Sequence, residues 1–100
     1  MSNPRRSTWR YERRVPVEYS TGGDWHSGVV RNISLGGVCI ESQDRLRYGD
    51  RITVRLVVSS QKEPVEIAGQ VRWTDLSGFG VQFDGLRARD VWALTRLLEQ

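Results

Sequence analysis

The residues of this chain best suited to chemistry are a group of arginines and one short polar turn. Arg10 and Arg14 stand four apart, with Arg13 between them, at the end of a basic N-terminal segment. Further on, Asn32-Ile33-Ser34-Leu35-Gly36-Gly37 separates two apolar-alternating runs, Val29–Ile33 and Val38–Ile40. A guanidinium is a planar fork that matches phosphate oxygens or the edge of a guanine, and it can stack on rings. Asn32 and Ser34 are two apart, so an extended backbone directs both to one face. Gly36 and Gly37 allow a sharp turn and a close approach to the backbone. Such residues suit one wall of a small-molecule site, faced by a cationic arm.

Enzymatic arrangements are poorly represented. The chain has one histidine, His26, and one cysteine, Cys39. His26 opens a predicted strand, where a histidine is usually a surface residue. Cys39, between Val38 and Ile40, is expected to pack against the core as an inert thiol. One histidine without a clear partner makes no Ser-His-Asp set, and no cluster has the spacing of metal ligands. Asp44, Asp50, Asp75 and Asp84 fall in predicted turns, where aspartate serves local backbone geometry. The reading is a binding protein with no catalytic residues, no metal and no cofactor.

Composition narrows the partner. One hundred residues make one domain with one core. A hydrophobic content of 38% with four tryptophans marks a globular chain. No apolar run reaches the ~20 residues of a membrane span, and no apolar segment follows the basic start as in a signal peptide. With a single cysteine there is no disulfide framework. These features together point to the cytoplasm. The net charge is +3, yet the first fourteen residues alone carry Arg5, Arg6, Arg10, Arg13 and Arg14 against Glu12, a local charge of +4. A basic arm on a near-neutral body suggests a local anionic partner, although such tails also serve only solubility.

The elements that must position these residues follow from apolar periodicity. Residues 1–13 show no period and read as an arm, leaving 14–100 as the folded domain. Val15, Val17 and Tyr19 begin a first strand. Trp25–Ile33, Val38–Glu41, Ile52–Val58, Val65–Trp73 and Phe79–Phe83 follow, separated by turns at Ser20–Asp24, Ser42–Gly49, Ser59–Pro64 and Asp75–Gly78. In the fifth, Val65, Ile67, Gly69, Val71 and Trp73 share one parity, which assigns Trp73 to the core with Trp25 and Phe83. From Leu86 the spacing turns helical, with Val91, Leu94, Leu97 and Leu98 as the stripe and Trp92 beside it. Either Asp90 caps this helix (about 86–98) or Leu86–Arg89 form its first turn. Short, regularly spaced strands predict an all-β fold, an antiparallel barrel or sandwich, with a C-terminal helix.

Arg10-Tyr11-Glu12-Arg13-Arg14, followed about twenty residues later by Asn32-Ile33-Ser34-Leu35-Gly36-Gly37, resembles the paired signature of PilZ domains, Arg-x-x-x-Arg and Asp/Asn-x-Ser-x-x-Gly. Gly49-Asp50 before a strand, Gly69-x-Val71-x-Trp73 and Gly80-Val81-x-Phe83 also look like that family's core pattern. The resemblance covers roughly Arg5 to Phe83. It implies a six-stranded split barrel and a bacterial receptor for cyclic di-GMP. By that resemblance Arg10 and Arg14 are the clamp, Arg13 a supporting residue, and Asn32, Ser34, Gly36 and Gly37 the barrel wall. Asn32 replaces the commoner aspartate. Trp9 stands where many members carry a further arginine, associated with a stacked ligand dimer. Arg6-Ser7-Thr8-Trp9-Arg10 fits the first motif too; Arg10/Arg14 is preferred because Arg14 precedes Val15-Pro16-Val17, as in the family.

The expected function is second-messenger binding in which the arm closes over cyclic di-GMP and signals to a protein partner, as a monomer or weak dimer. Two other readings stand behind it: a PilZ-like adaptor that works through protein contacts alone, and a small nucleic-acid-binding barrel suggested by the basic arm.

Overall fold

The structure, a computed structural model, describes residues 11–57 and 63–98. Alternation of apolar and polar residues produces six strands: β1 (Tyr11–Ser20), β2 (His26–Ile33), β3 (Gly37–Glu41), β4 (Arg51–Leu56), β5 (Val65–Asp75) and β6 (Gly78–Phe83). They form a closed antiparallel barrel in the order β1-β2-β3-β6-β5-β4. Closure between β1 and β4 pairs Tyr19 with Val54. Closing the sheet removes the two open edges that a six-stranded sheet would otherwise expose. Inward positions fill one core in which Val30, Ile33, Val54, Val71 and Phe79 are almost fully enclosed. The expected barrel is therefore present, with all six strands. The Ser59–Pro64 loop and the end of the fourth predicted strand fall partly on residues 58–62, outside the described residues.

Helix α1 (Ala88–Leu98) completes the core. Its buried side chains are Asp90, Ala93, Leu94 and Leu97; Leu94 and Leu97 are buried as the spacing predicts, whereas Val91 and Trp92 are exposed. The start of the helix is settled by Asp90, the third residue of its first turn. Its carboxylate accepts a hydrogen bond from the Arg87 backbone N–H at 3.2 Å, half of a capping box that satisfies a donor the helix would leave unpaired.

One polar side chain is built into the apolar interior. Tyr19 is 1% exposed, and its ring meets Phe79 edge-to-face at 5.1 Å. Its hydroxyl donates to Asp44 Oδ2 at 2.6 Å and exchanges a second hydrogen bond with the Ser42 hydroxyl. Asp44 thus does more than shape a turn: it ties the β3–β4 loop to the core. Burial first, and the Asp44 hydrogen bond second, push the phenol up to about 12. Because the folded value lies above the ordinary one of 10.0, the stability tied to the neutral phenol is complete below pH 10 and is lost as pH rises toward 12. Tyr19→Phe should cost about 1–2 kcal/mol at neutral pH and should lose this part of the alkaline fall, as denaturant melts across pH 8 to 12 will show.

Candidate functional site

The polar turn between β2 and β3 folds on its own hydrogen bonds. Ser34 N–H donates to the Gly37 carbonyl at 2.9 Å, and the Ser34 hydroxyl accepts the Gly36 N–H at 3.1 Å. One lone pair of Ser34 therefore serves the turn, which leaves its proton and second lone pair for other partners. The turn is stitched to β6 by Phe83 N–H donating to the Gly36 carbonyl at 2.9 Å. Neither glycine has a positive φ. Gly37 is required for space: a Cβ there would run into the Val81 carbonyl oxygen of β6, whereas at Gly36 the nearest atom, Ser34 Oγ, is 3.8 Å away.

Three β-bulges, each containing an arginine, shape this part of the barrel. Between β1 and β2, Glu12 pairs with Asn32 and Val15 with Val30, so Arg13 and Arg14 oppose the single residue Arg31. Between β2 and β3, Val30 pairs with Ile40 and Asn32 with Cys39, leaving Arg31 extra. Between β5 and β6, Val71 pairs with Val81 and Trp73 with Gly80, leaving Arg72 extra. An inserted residue reverses the in–out alternation beyond it. Val71 is fully buried, but Arg72 and Trp73 both face outward. The assignment of Trp73 to the core is corrected by this bulge; the indole is 41% exposed and lies across Gly80, where a Cβ would strike Nε1. Trp25 is likewise exposed, beneath the Arg55 guanidinium at 3.7 Å, while Phe83 is in the core as expected.

The turn and the β5 bulge meet in a cleft of about 380 Å³, walled by Ser34, Gly36 and Gly37 on one side and by Arg72, Trp73 and Gln82 on another, with Cys39 and Gly80 beneath. Ser34 is 1% and Cys39 8% exposed. Among the described residues, the lining contains one cation and no carboxylate, together with a hydroxyl, an amide, bare backbone and an aromatic face. A second cleft, of about 340 Å³, has two carboxylates, Asp44 and Asp75, against one cation, Arg45, in its lining. Hydrogen bonds from the Ser77 hydroxyl and N–H hold Asp75 below the usual carboxylate range. An anion therefore suits the first cleft better than the second.

Ser34, Gly36 and Gly37 are thus brought together as the sequence suggested. Asn32 is not on the cleft wall: β2 ends at Ile33 and Ser34 already belongs to the turn, so the two do not share the alternation of one extended strand. It lies half-buried in β2 between Glu12 and Cys39, at the margin of the cleft. The first strand begins at Tyr11, inside the segment read as an arm, and pairs Tyr11 with Ile33, one residue before Ser34. Arg10 and the side chains of Arg13 and Arg14 lie outside the described residues. Arg72, Trp73 and Gln82 were not among the predicted site residues. Trp73 and Gly80 were visible only as parts of the family's core pattern, with nothing to show that one lies over the other.

Among the described residues, no group of three or more His, Cys, Asp or Glu is placed to hold a metal ion, and no helix is long and apolar enough to cross a membrane.

No curated protein matches the chain significantly. Among solved structures, the PilZ domain of CeSA from a cellulose-synthesizing bacterium superposes with a TM-score of 0.72 at 16% identity, covering 91% of this chain and 95% of that one. The Bacillus subtilis inhibitor of motility MotI/DgrA superposes at 0.69 with 19% identity over 96% of this chain, which spans 52% of the length of that protein. At these identities the superpositions establish the fold. The family model of the PilZ domain matches residues 4–100, the barrel and its helix together, so the chain belongs to the PilZ domain family.

Proposed function

We propose that this chain is a cyclic di-GMP receptor whose ligand lies in the cleft between the Ser34–Gly37 turn and Trp73. PilZ domains are in general receptors for this nucleotide, and they are binding or adaptor domains without catalysis. The observation that carries the reading is the cleft itself: turn residues of the second motif share it with an exposed indole and a cation, and among the described residues no carboxylate lines it. The ligand's needs match those features. A guanine stacks on Trp73, and a polar edge bonds the Ser34 hydroxyl. The bare backbone at Gly36 and Gly37 admits close approach.

The arginines of the first motif supply the remaining charge. Pairing of Tyr11 with Ile33 and Glu12 with Asn32 brings the start of β1 beside the turn, and Arg10 precedes that start in sequence. Arg10 and Arg14, supported by Arg13, then close over the ligand from the β1 side, with Asn32 at the margin between them and the wall. Ordering an arm around a ligand is a common switching device, and the reshaped surface is read by a protein partner.

Calorimetric titration tests this reading. Saturable binding of cyclic di-GMP at micromolar ligand is expected, and Arg14→Ala should weaken it about tenfold, the lower end for a lost bidentate contact. Absence of saturable heat in the wild type would leave a PilZ adaptor that acts through protein contacts alone. Full retention of affinity in Arg14→Ala would move the clamp to Arg6 and Arg10. Binding of RNA that collapses with added salt, without cyclic di-GMP binding, would indicate a nucleic-acid barrel instead.

A further inference from the structure

We propose that Arg72 is the specificity-determining residue of this cleft: its guanidinium forks onto O6 and N7 of the guanine stacked on Trp73. This assignment rests on the cyclic di-GMP reading above and adds a residue that belongs to neither motif.

The β5 bulge carries the argument. In a regular strand, residues 72 and 73 would point to opposite faces. The extra residue between the Val71–Val81 and Trp73–Gly80 pairs leaves both exposed and both on the cleft wall. A base lying flat on the indole has its edges in a plane parallel to that ring, within reach of the long side chain of the neighbouring residue. The indole is placed for such a base because Gly80 leaves room beneath it.

Arg72 is also free of the ion pairs that hold the other strand arginines whose side chains are described. Arg31 pairs with Glu41, Arg51 with Asp84, and Arg55 with Glu18 and Glu66. Among the described residues, Arg72 has no carboxylate within ion-pair distance. Its recorded partner is the ring of Tyr48, with the guanidinium 5.4 Å from the centroid. At an exposed site such a contact is weak and readily exchanged for a charge-assisted one.

Two acceptors side by side are what a guanidinium fork matches. Guanine offers them as O6 and N7, whereas adenine places an amino donor beside N7. Gln82, on the same wall, offers both a donor and acceptors for the remaining polar atoms of the base. On the proposed function above, the phosphates are left to the arginines of the first motif. Arg72 thereby distinguishes guanine from adenine, while the clamp arginines supply affinity for the cyclic dinucleotide backbone.

The test is titration of wild type, Arg72→Ala and Arg72→Lys with cyclic di-GMP and cyclic di-AMP, with thermal melts confirming that the exposed substitutions leave the fold intact. Arg72→Ala should weaken cyclic di-GMP about tenfold to a hundredfold and leave cyclic di-AMP binding within about twofold of wild type. Arg72→Lys should not restore the loss, because an ammonium is a point charge without the fork. Restoration by lysine, or an equal loss for both nucleotides, would overturn the base-reading role in favour of a phosphate contact. Unchanged cyclic di-GMP affinity in Arg72→Ala, with wild-type binding intact, would remove Arg72 from the site and leave the receptor reading standing. No binding by the wild type would overturn both.

Discussion

Gly37→Ala is expected to destabilise the domain by about 3 kcal/mol, at the upper end for forcing atoms into a packed interior. For a domain of 100 residues this lowers Tm by roughly 12–24 °C. Gly37 pairs with Gln82, and its Cα faces the Val81 carbonyl oxygen so closely that a methyl group would overlap it. That oxygen is backbone and cannot rotate away, so β3 and β6 must separate. The separation also opens the cleft wall, and affinity for cyclic di-GMP should fall with stability. Gly36→Ala provides the contrast. Its Cβ would meet nothing nearer than Ser34 Oγ at 3.8 Å, and its φ is not positive. The variant should melt within about 0.5 kcal/mol of wild type, as exposed substitutions usually do. Equal melting of the two variants would contradict the close approach of the turn to β6.

Trp73→Ala should separate binding from folding in the opposite sense. The indole is 41% exposed, so its removal should leave the melting transition nearly in place. Stacking of a base on an aromatic ring is worth about 1–3 kcal/mol, so cyclic di-GMP affinity should fall about tenfold to a hundredfold. Trp73→Phe, which keeps a smaller ring, should lose less. Gly80→Ala tests the same surface without touching the tryptophan. A methyl there would overlap the indole at Nε1, and because the obstacle is a side chain, the ring can swing away. Affinity should therefore drop while the strand pairing survives. Loss of stability with unchanged affinity in Trp73→Ala would show that the ring serves as a cover for Gly80 and takes no part in binding.

The two glycines illustrate what one-dimensional reading can and cannot deliver. Gly36-Gly37 is legible as a site of close approach, but which glycine is indispensable, and against what, depends on β6, which lies more than forty residues away in sequence. Tyr19 shows the same limit. Its parity assigns it to the barrel interior, but Asp44 and Ser42, which satisfy its hydroxyl, come from a loop whose path no local pattern fixes.

The sequence by itself determined the six strands, the terminal helix and the pairing of an arginine motif with a polar turn. These depend on local alternation, helical spacing and short motifs, all set by neighbouring residues. The tertiary structure decided where that alternation breaks. A bulge exists only relative to a partner strand, since two residues must oppose one, and so the insertions at Arg13-Arg14, Arg31 and Arg72 become visible only once β1, β2, β3, β5 and β6 are paired. The insertion at Arg72 turns Trp73 out of the core and onto the cleft wall beside Arg72. The polar turn is legible in sequence as one wall of a cleft; β5 and β6 supply the other wall only once the barrel is closed.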